Sequence, residues 1–285
     1  MYYGWLLITA AMIISAAVAG VKGSLPFFMV PMAEALGWSI AAFAGTHFTG
    51  VLVNGLTQPI LGHLVDRRDA RKLILISIAV AGLATVGLGF IYYVWHLIVL
   101  FGIVFSAAMG GASFGVLGPL AARWFLNRRT LALSLLTAAS TMGSIFLNQS
   151  AFMVQYSYGW EAAWIALGAI LLCLGLPLGW KFLRSWPSEM GLKPDGGAES
   201  PVEVRLRGSA PVLQLGWFEV ERWWRAFRSP PILALLPVFA IGGFASEVSS
   251  RDIVSFVQLS FGVSTTEIMT ALVLDQTCTG ISRMQ

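Results

Sequence analysis

The chain has 285 residues, 57% apolar and only 11% charged, with a formal net charge of +4. Soluble domains carry about 25% charged residues, so a water-soluble fold of this size could not cover its surface, and the mean hydropathy of +0.76 agrees. The basic balance does not mark a nucleic-acid-binding protein, because the basic residues cluster in a few short connections between apolar runs, an orientation signal of membrane proteins.

A bilayer crossing needs about 20 mostly apolar residues. Six runs satisfy this, at 4–32, 40–65, 73–94, 96–122, 131–156 and 161–183, and two more candidates lie near 230–250 and 266–284. Only helices suit such runs, since each backbone amide must be satisfied within its own segment. The first run has no basic stretch before it and no small-residue cleavage site after it, and Lys22 and Pro26 interrupt it. It therefore reads as a retained span rather than a signal peptide.

The connections alternate in charge. Arg67, Arg68, Arg71 and Lys72 lie between spans two and three, and Arg123, Arg128 and Arg129 between spans four and five. After span six come Lys181, Arg184, Lys193, Arg205, Arg207, Arg222, Arg225 and Arg228. The other connections hold Glu34 and Gly37-Trp38, then Tyr92-Tyr93 and His96, then Tyr158 to Glu161. Basic connections stay cytoplasmic, which puts the N-terminus and both ends of the six-span block on the cytoplasmic side.

Residues 185–211 are rich in Pro, Gly and mixed charge and read as a flexible linker. Residues 216–229 interleave Trp217, Phe218, Trp223, Trp224 and Phe227 with Arg222, Arg225 and Arg228. That is an amphipathic helix on the membrane surface or an extended start of span seven. The expected organisation is a six-helix bundle over 1–184, a cytoplasmic linker with its amphipathic helix over 185–229, and a partial second bundle over 230–285. Cys173 and Cys278 lie in apolar spans and read as small buried residues. His47, His63 and His96 are isolated, and no nucleotide-binding, nucleophile-elbow or metal-ligand spacing occurs, so no enzyme activity, cofactor or metal is expected.

The strongest local pattern runs from Gly62 through Asp66, Arg67 and Arg68 to Arg71 and Lys72. Gly62 lets another helix approach closely, and Asp66 is expected to cap a helix N-terminus and pair with a neighbouring arginine. Lys22 is the other feature that stands out. A lysine inside a span is costly and marks a functional site by default. Lying about 27 Å from the start of its helix, it could instead snorkel to the outer interface. Gly102, Gly110, Gly111, Gly115, Gly118 and Pro119 give span four the small residues of close packing and bending. Asn54, Gln58, Thr137, Ser140, Thr141, Asn148 and Gln149 either line a polar path or bond between helices.

The stretch 62–72 resembles the loop 2–3 signature of the major facilitator superfamily, with Asp69 in place of the usual second glycine and Ala70 in place of a common proline. Tyr3-Gly4-Trp5, Phe27-Phe28, Ala122-Arg123-Trp124-Phe125, Tyr158-Gly159-Trp160-Glu161 and Trp186-Pro187-Ser188-Glu189-Met190-Gly191 together resemble its monocarboxylate-transporter and oxalate–formate-antiporter branch. The resemblance implies an all-α integral membrane protein in which two six-helix bundles rock about a midplane site. It implies secondary active transport of small organic anions, by proton coupling or exchange, in a bacterial cytoplasmic membrane. It implies a gating role for Gly62, Asp66, Arg67, Arg71 and Lys72. It also implies that Lys22, matching a span-one lysine of animal monocarboxylate transporters, helps bind carboxylate. Arg283 falls where the branch carries a substrate-gripping span-eight arginine, although the acidic residue often found four positions earlier is Thr279 here. A family member has twelve spans, so the chain is expected to be C-terminally truncated. Efflux of another solute, or a non-transporting scaffold or defective fragment, are the competing functions.

Overall fold

A computed structural model describes residues 2–67 and 69–192. The amphipathic segment 216–229, spans seven and eight and Arg283 lie outside the described residues. Among the described residues all regular structure is helical. Four continuous helical runs are long and apolar enough to cross a bilayer: α1 (Tyr3–Leu36), α3 (Ala70–Phe90), α4 (Val94–Trp124) and the run Arg129–Phe182. Gly159 breaks the last run at φ 89°, ψ 167°, a backbone region open only to glycine. There the chain doubles back, giving α5 (129–158) and α6 (160–182). The sixth helix, α2 (Ile40–Arg67), is long enough but diluted by polar residues such as His47, Asn54 and Gln58.

The apolar-run boundaries hold to within a turn. The main difference is α1, which continues past Pro31 to Leu36 and ends on Gly37 at φ 67°. Its 34 residues span about 51 Å, well beyond a hydrocarbon core of about 30 Å. α4 is interrupted at Ala112 and Ser113, where the φ/ψ values leave the helical region before the chain restarts at Phe114. Stretches of α4 (Ile98–Phe105) and α6 (Leu171–Gly175) are wound as π-helix.

Glycines set the helix contacts. In the α1–α5 seam a Cβ on Gly143 would lie 2.5 Å from the Ala16 Cα. In the α3–α6 seam a Cβ on Gly168 would lie 2.7 Å from the Val86 amide nitrogen. In each case the partner is backbone and cannot move aside, so the small residue is what permits the crossing. Phe28, Phe43, Phe105, Trp124 and Trp164 are fully buried among these seams. Cys173 departs from expectation: it is exposed on the outer face of α6, because the buried positions there go to Leu171 and Gly175.

Candidate functional site

Two features organise the bundle: a basic rim at one end and a single lysine in the interior. α2, α4 and α6 all finish at the rim, so their last carbonyls lack intrahelical donors. Side chains from elsewhere in the chain fill that need. Arg123 Nη2 donates to the Val65 carbonyl at 3.2 Å, and the Tyr2 hydroxyl donates to the Trp124 carbonyl at 3.0 Å. The Tyr3 hydroxyl donates to the Phe182 carbonyl at 3.0 Å, and Arg71 Nη2 donates to the Trp180 carbonyl. The Trp124 indole N–H reaches the Arg184 carbonyl at 3.2 Å. Arg123 lies over the Trp186 ring at 4.4 Å, and Arg71 over the Trp180 ring at 5.3 Å. The aromatic and basic segments that the sequence offers separately thus converge on one ring of contacts.

The loop 2–3 signature sits in that ring, with one correction. Asp66 lies in the last turn of α2 and cannot be an N-cap; the cap of α3 is Asp69. Its Oδ1 accepts from the Arg71 amide at 3.1 Å and from the Ser185 hydroxyl. The residue that departs from the family pattern therefore performs the capping, since an acceptor is what the first turn of a helix lacks. Gly62 is half-buried with no neighbouring atom within 4 Å of a Cβ built on it, Arg71 is half-buried, and Lys72 is exposed.

Lys22 stands apart from the rim. Among the described residues every other Lys or Arg lies at the basic end, and the opposite end carries Glu34 and Glu161. Lys22 sits about 28 Å from the first residue of α1 and about 21 Å from the last. It is half-buried, and Ser15, Val18, Leu25 and Met29, at seven, four, three and seven residues from it, are all buried. Lys22 is therefore on the interior stripe of α1 rather than on a lipid face. Pro26, four residues on, has no N–H to offer the Lys22 carbonyl.

The next residue, Gly23, abuts α5: a Cβ there would lie 2.8 Å from Asn148 Nδ2. Asn148 is buried, and its Oδ1 has no hydrogen-bond partner. Thr137 and Ser140 of α5 donate to the carbonyls four residues back, Ser140 also meets Ser15 of α1 at 2.5 Å, and Gln155 Oε1, like Asn148 Oδ1, is buried without a partner. Asn54 donates to the Ser106 carbonyl at 2.9 Å and Gln58 to the Ser113 hydroxyl at 3.5 Å, so both link α2 to α4. Arg123, Tyr2, Tyr3 and Ser185 were not legible as site residues, because their partners lie 58 to 179 positions away.

A family model described as Major Facilitator Superfamily matches residues 9–279. The chain belongs to the major facilitator superfamily. It is an integral, multi-pass, all-α membrane protein. Over 178 residues this superfamily member is 25% identical to the uncharacterized MFS-type transporter YcxA of Bacillus subtilis (strain 168), covering 61% of the chain and 43% of that protein. Over 172 residues it is 27% identical to monocarboxylate transporter 11 of Homo sapiens, covering 60% of the chain and 36% of that protein. The Mus musculus protein of the same name is 25% identical over 172 residues, covering 60% of the chain and 38% of that protein. The matched stretch is thus less than half the length of each relative.

Proposed function

We propose that the chain belongs to a secondary active transporter that moves small organic anions of the monocarboxylate class by alternating access, with protons or by exchange. The observation that carries this reading is Lys22: a cation set in the interior stripe of α1, away from every other described basic residue. An ammonium in that position offers an anion a charge partner inside the membrane. Arg283 supplies a second, forked contact to the carboxylate from span eight, and Gly62, Asp66, Arg67, Arg71 and Lys72 gate the basic end. The similarity to proteins named monocarboxylate transporter supports the substrate class. The basic rim faces the cytoplasm of a bacterial cell, with the N-terminus inside.

The test is uptake of a labelled short-chain monocarboxylate into proteoliposomes by the full-length gene product. Lys22→Ala is expected to reduce uptake by about 100-fold or more, the scale for losing one charged partner in a buried site, while Lys22→Arg retains part of it. Unchanged uptake by Lys22→Ala would remove the lysine from the site; no uptake of any carboxylate by the wild type would sink the substrate class.

A further inference from the structure

The outer faces of α3 and α6 are apolar and open. Ile76, Val80 and Leu83 are exposed along α3, and Cys173, Leu174 and Pro177 along α6. In a membrane protein these stripes contact lipid chains, so the occupant of this face is set by the bilayer. Both stripes run into the basic rim at one corner. On α3 the stripe ends in Lys72, one turn before Ile76, beside Arg71; on α6 it ends in Trp180 and Lys181, with Arg184 just beyond.

Arg71 lies over the exposed Trp180 ring and donates through Nη2 to the Trp180 carbonyl, which brings the start of α3 against the end of α6; its Nε and the Nη1 of Arg184 are buried and do not face the lipid. Lys72 and Lys181 are exposed. Asp69 is committed to the cap of α3 and to Ser185. Lys72 and Lys181 therefore flank the Arg71–Trp180 contact at the end of the two lipid-facing stripes, beside an indole of the kind that sits at the membrane interface.

We propose that Lys72 and Lys181, beside the Arg71–Trp180 pair, hold the phosphate of an anionic phospholipid, whose acyl chains lie along the exposed stripes of α3 and α6. The two exposed ammonium groups supply the charge, the indole marks the interface, and basic pockets between spans are a known form of headgroup site. The site shares Lys72 with the proposed gate, but counting bound lipid reads it without any transport step.

The full chain in detergent is titrated with phosphatidylglycerol or phosphatidylcholine, and bound lipid is counted by native mass spectrometry. The wild type is expected to prefer phosphatidylglycerol by about tenfold or more. Lys72→Gln with Lys181→Gln, both exposed and so tolerated by the fold, abolishes that preference. Arg128→Gln with Arg129→Gln removes the same charge from the α4–α5 connection and leaves it within about twofold of wild type. Equal loss in the two double variants overturns the proposal in favour of diffuse attraction. Equal binding of phosphatidylcholine also overturns it, as does displacement of the lipid by an equimolar amount of inorganic phosphate, which would make this a free-phosphate site.

Discussion

The two ends of the bundle meet the same problem in different ways. Every helix finishes with carbonyls that have no intrahelical donor. At the basic rim, where α2, α4 and α6 finish, the donors are imported: Arg123, Tyr2, Tyr3 and Arg71 each reach a carbonyl in another segment. At the opposite end, where α1 and α5 finish, the chain turns on glycine. Gly37 takes the left-handed conformation, so that its own N–H and that of Trp38 both reach the Ala33 carbonyl, and Gly159 reverses the chain into α6. Side chains seated here, such as Trp164 against Phe28 and Met32, pack by ring contact and one N–H to sulfur bond. The rim is thus held by long-range polar contacts that tie the N-terminus, α4 and α6 together, whereas the far end depends on local backbone geometry. The difference also places positive side chains where three helix dipoles end negatively.

Removing one large aromatic from each end tests this contrast most strongly. Trp124→Ala and Trp164→Ala each empty a fully buried site and are expected to cost about 3–5 kcal/mol. Trp124→Ala should be the worse of the two by about 1 kcal/mol, because it also loses a bond from an indole N–H to a carbonyl. Apparent melting temperatures in detergent measure both, and a less stable Trp164→Ala would reverse the comparison. Gly159→Ala comes next, at about 1–3 kcal/mol, since an alanine there must hold a backbone conformation reserved for glycine. Protease susceptibility of the α5–α6 turn should rise; no change in cleavage rate would show that the turn relaxes freely. Asp69→Ala has the smallest expected effect, about 1 kcal/mol, as it removes one helix cap. Faster hydrogen exchange at the Arg71 and Leu73 amides would register it, and unaltered exchange there would rule out Asp69 as the cap.

Much of the scaffold was legible in the sequence. Span number and alternation followed from apolar length and the period of basic connections, because lipid leaves so few ways to satisfy a backbone. The reversal at Gly159 and the end of α1 near Gly37 were marked by Gly-Trp pairs in the connections without basic residues. The small residues of span four allowed for a bend but did not place it: the break falls at Ala112 and Ser113, between Gly111 and Gly115, where the Ser113 hydroxyl meets Gln58. The Asp69 cap was masked by a resemblance that places glycine there. Lys22 was visible as a charge in an oily run, but its face of α1 was not, because apolar residues surround that helix and give no periodicity to read. Asn148 looked no different from Gln149 in sequence, yet it is Asn148 that is buried against Gly23.

The interruption at Ala112 and Ser113 divides α4 into two rods with separate attachments. The lower rod, Phe114–Trp124, bears Arg123 and Trp124 and travels with the rim; the upper one leans on α2 through Asn54 and Ser106. With no continuous ladder of backbone bonds between them, a tilt imposed at the rim is taken up as rotation at a two-residue joint. The glycine-lined crossings above it can then stay in register while the mouth of the bundle swings.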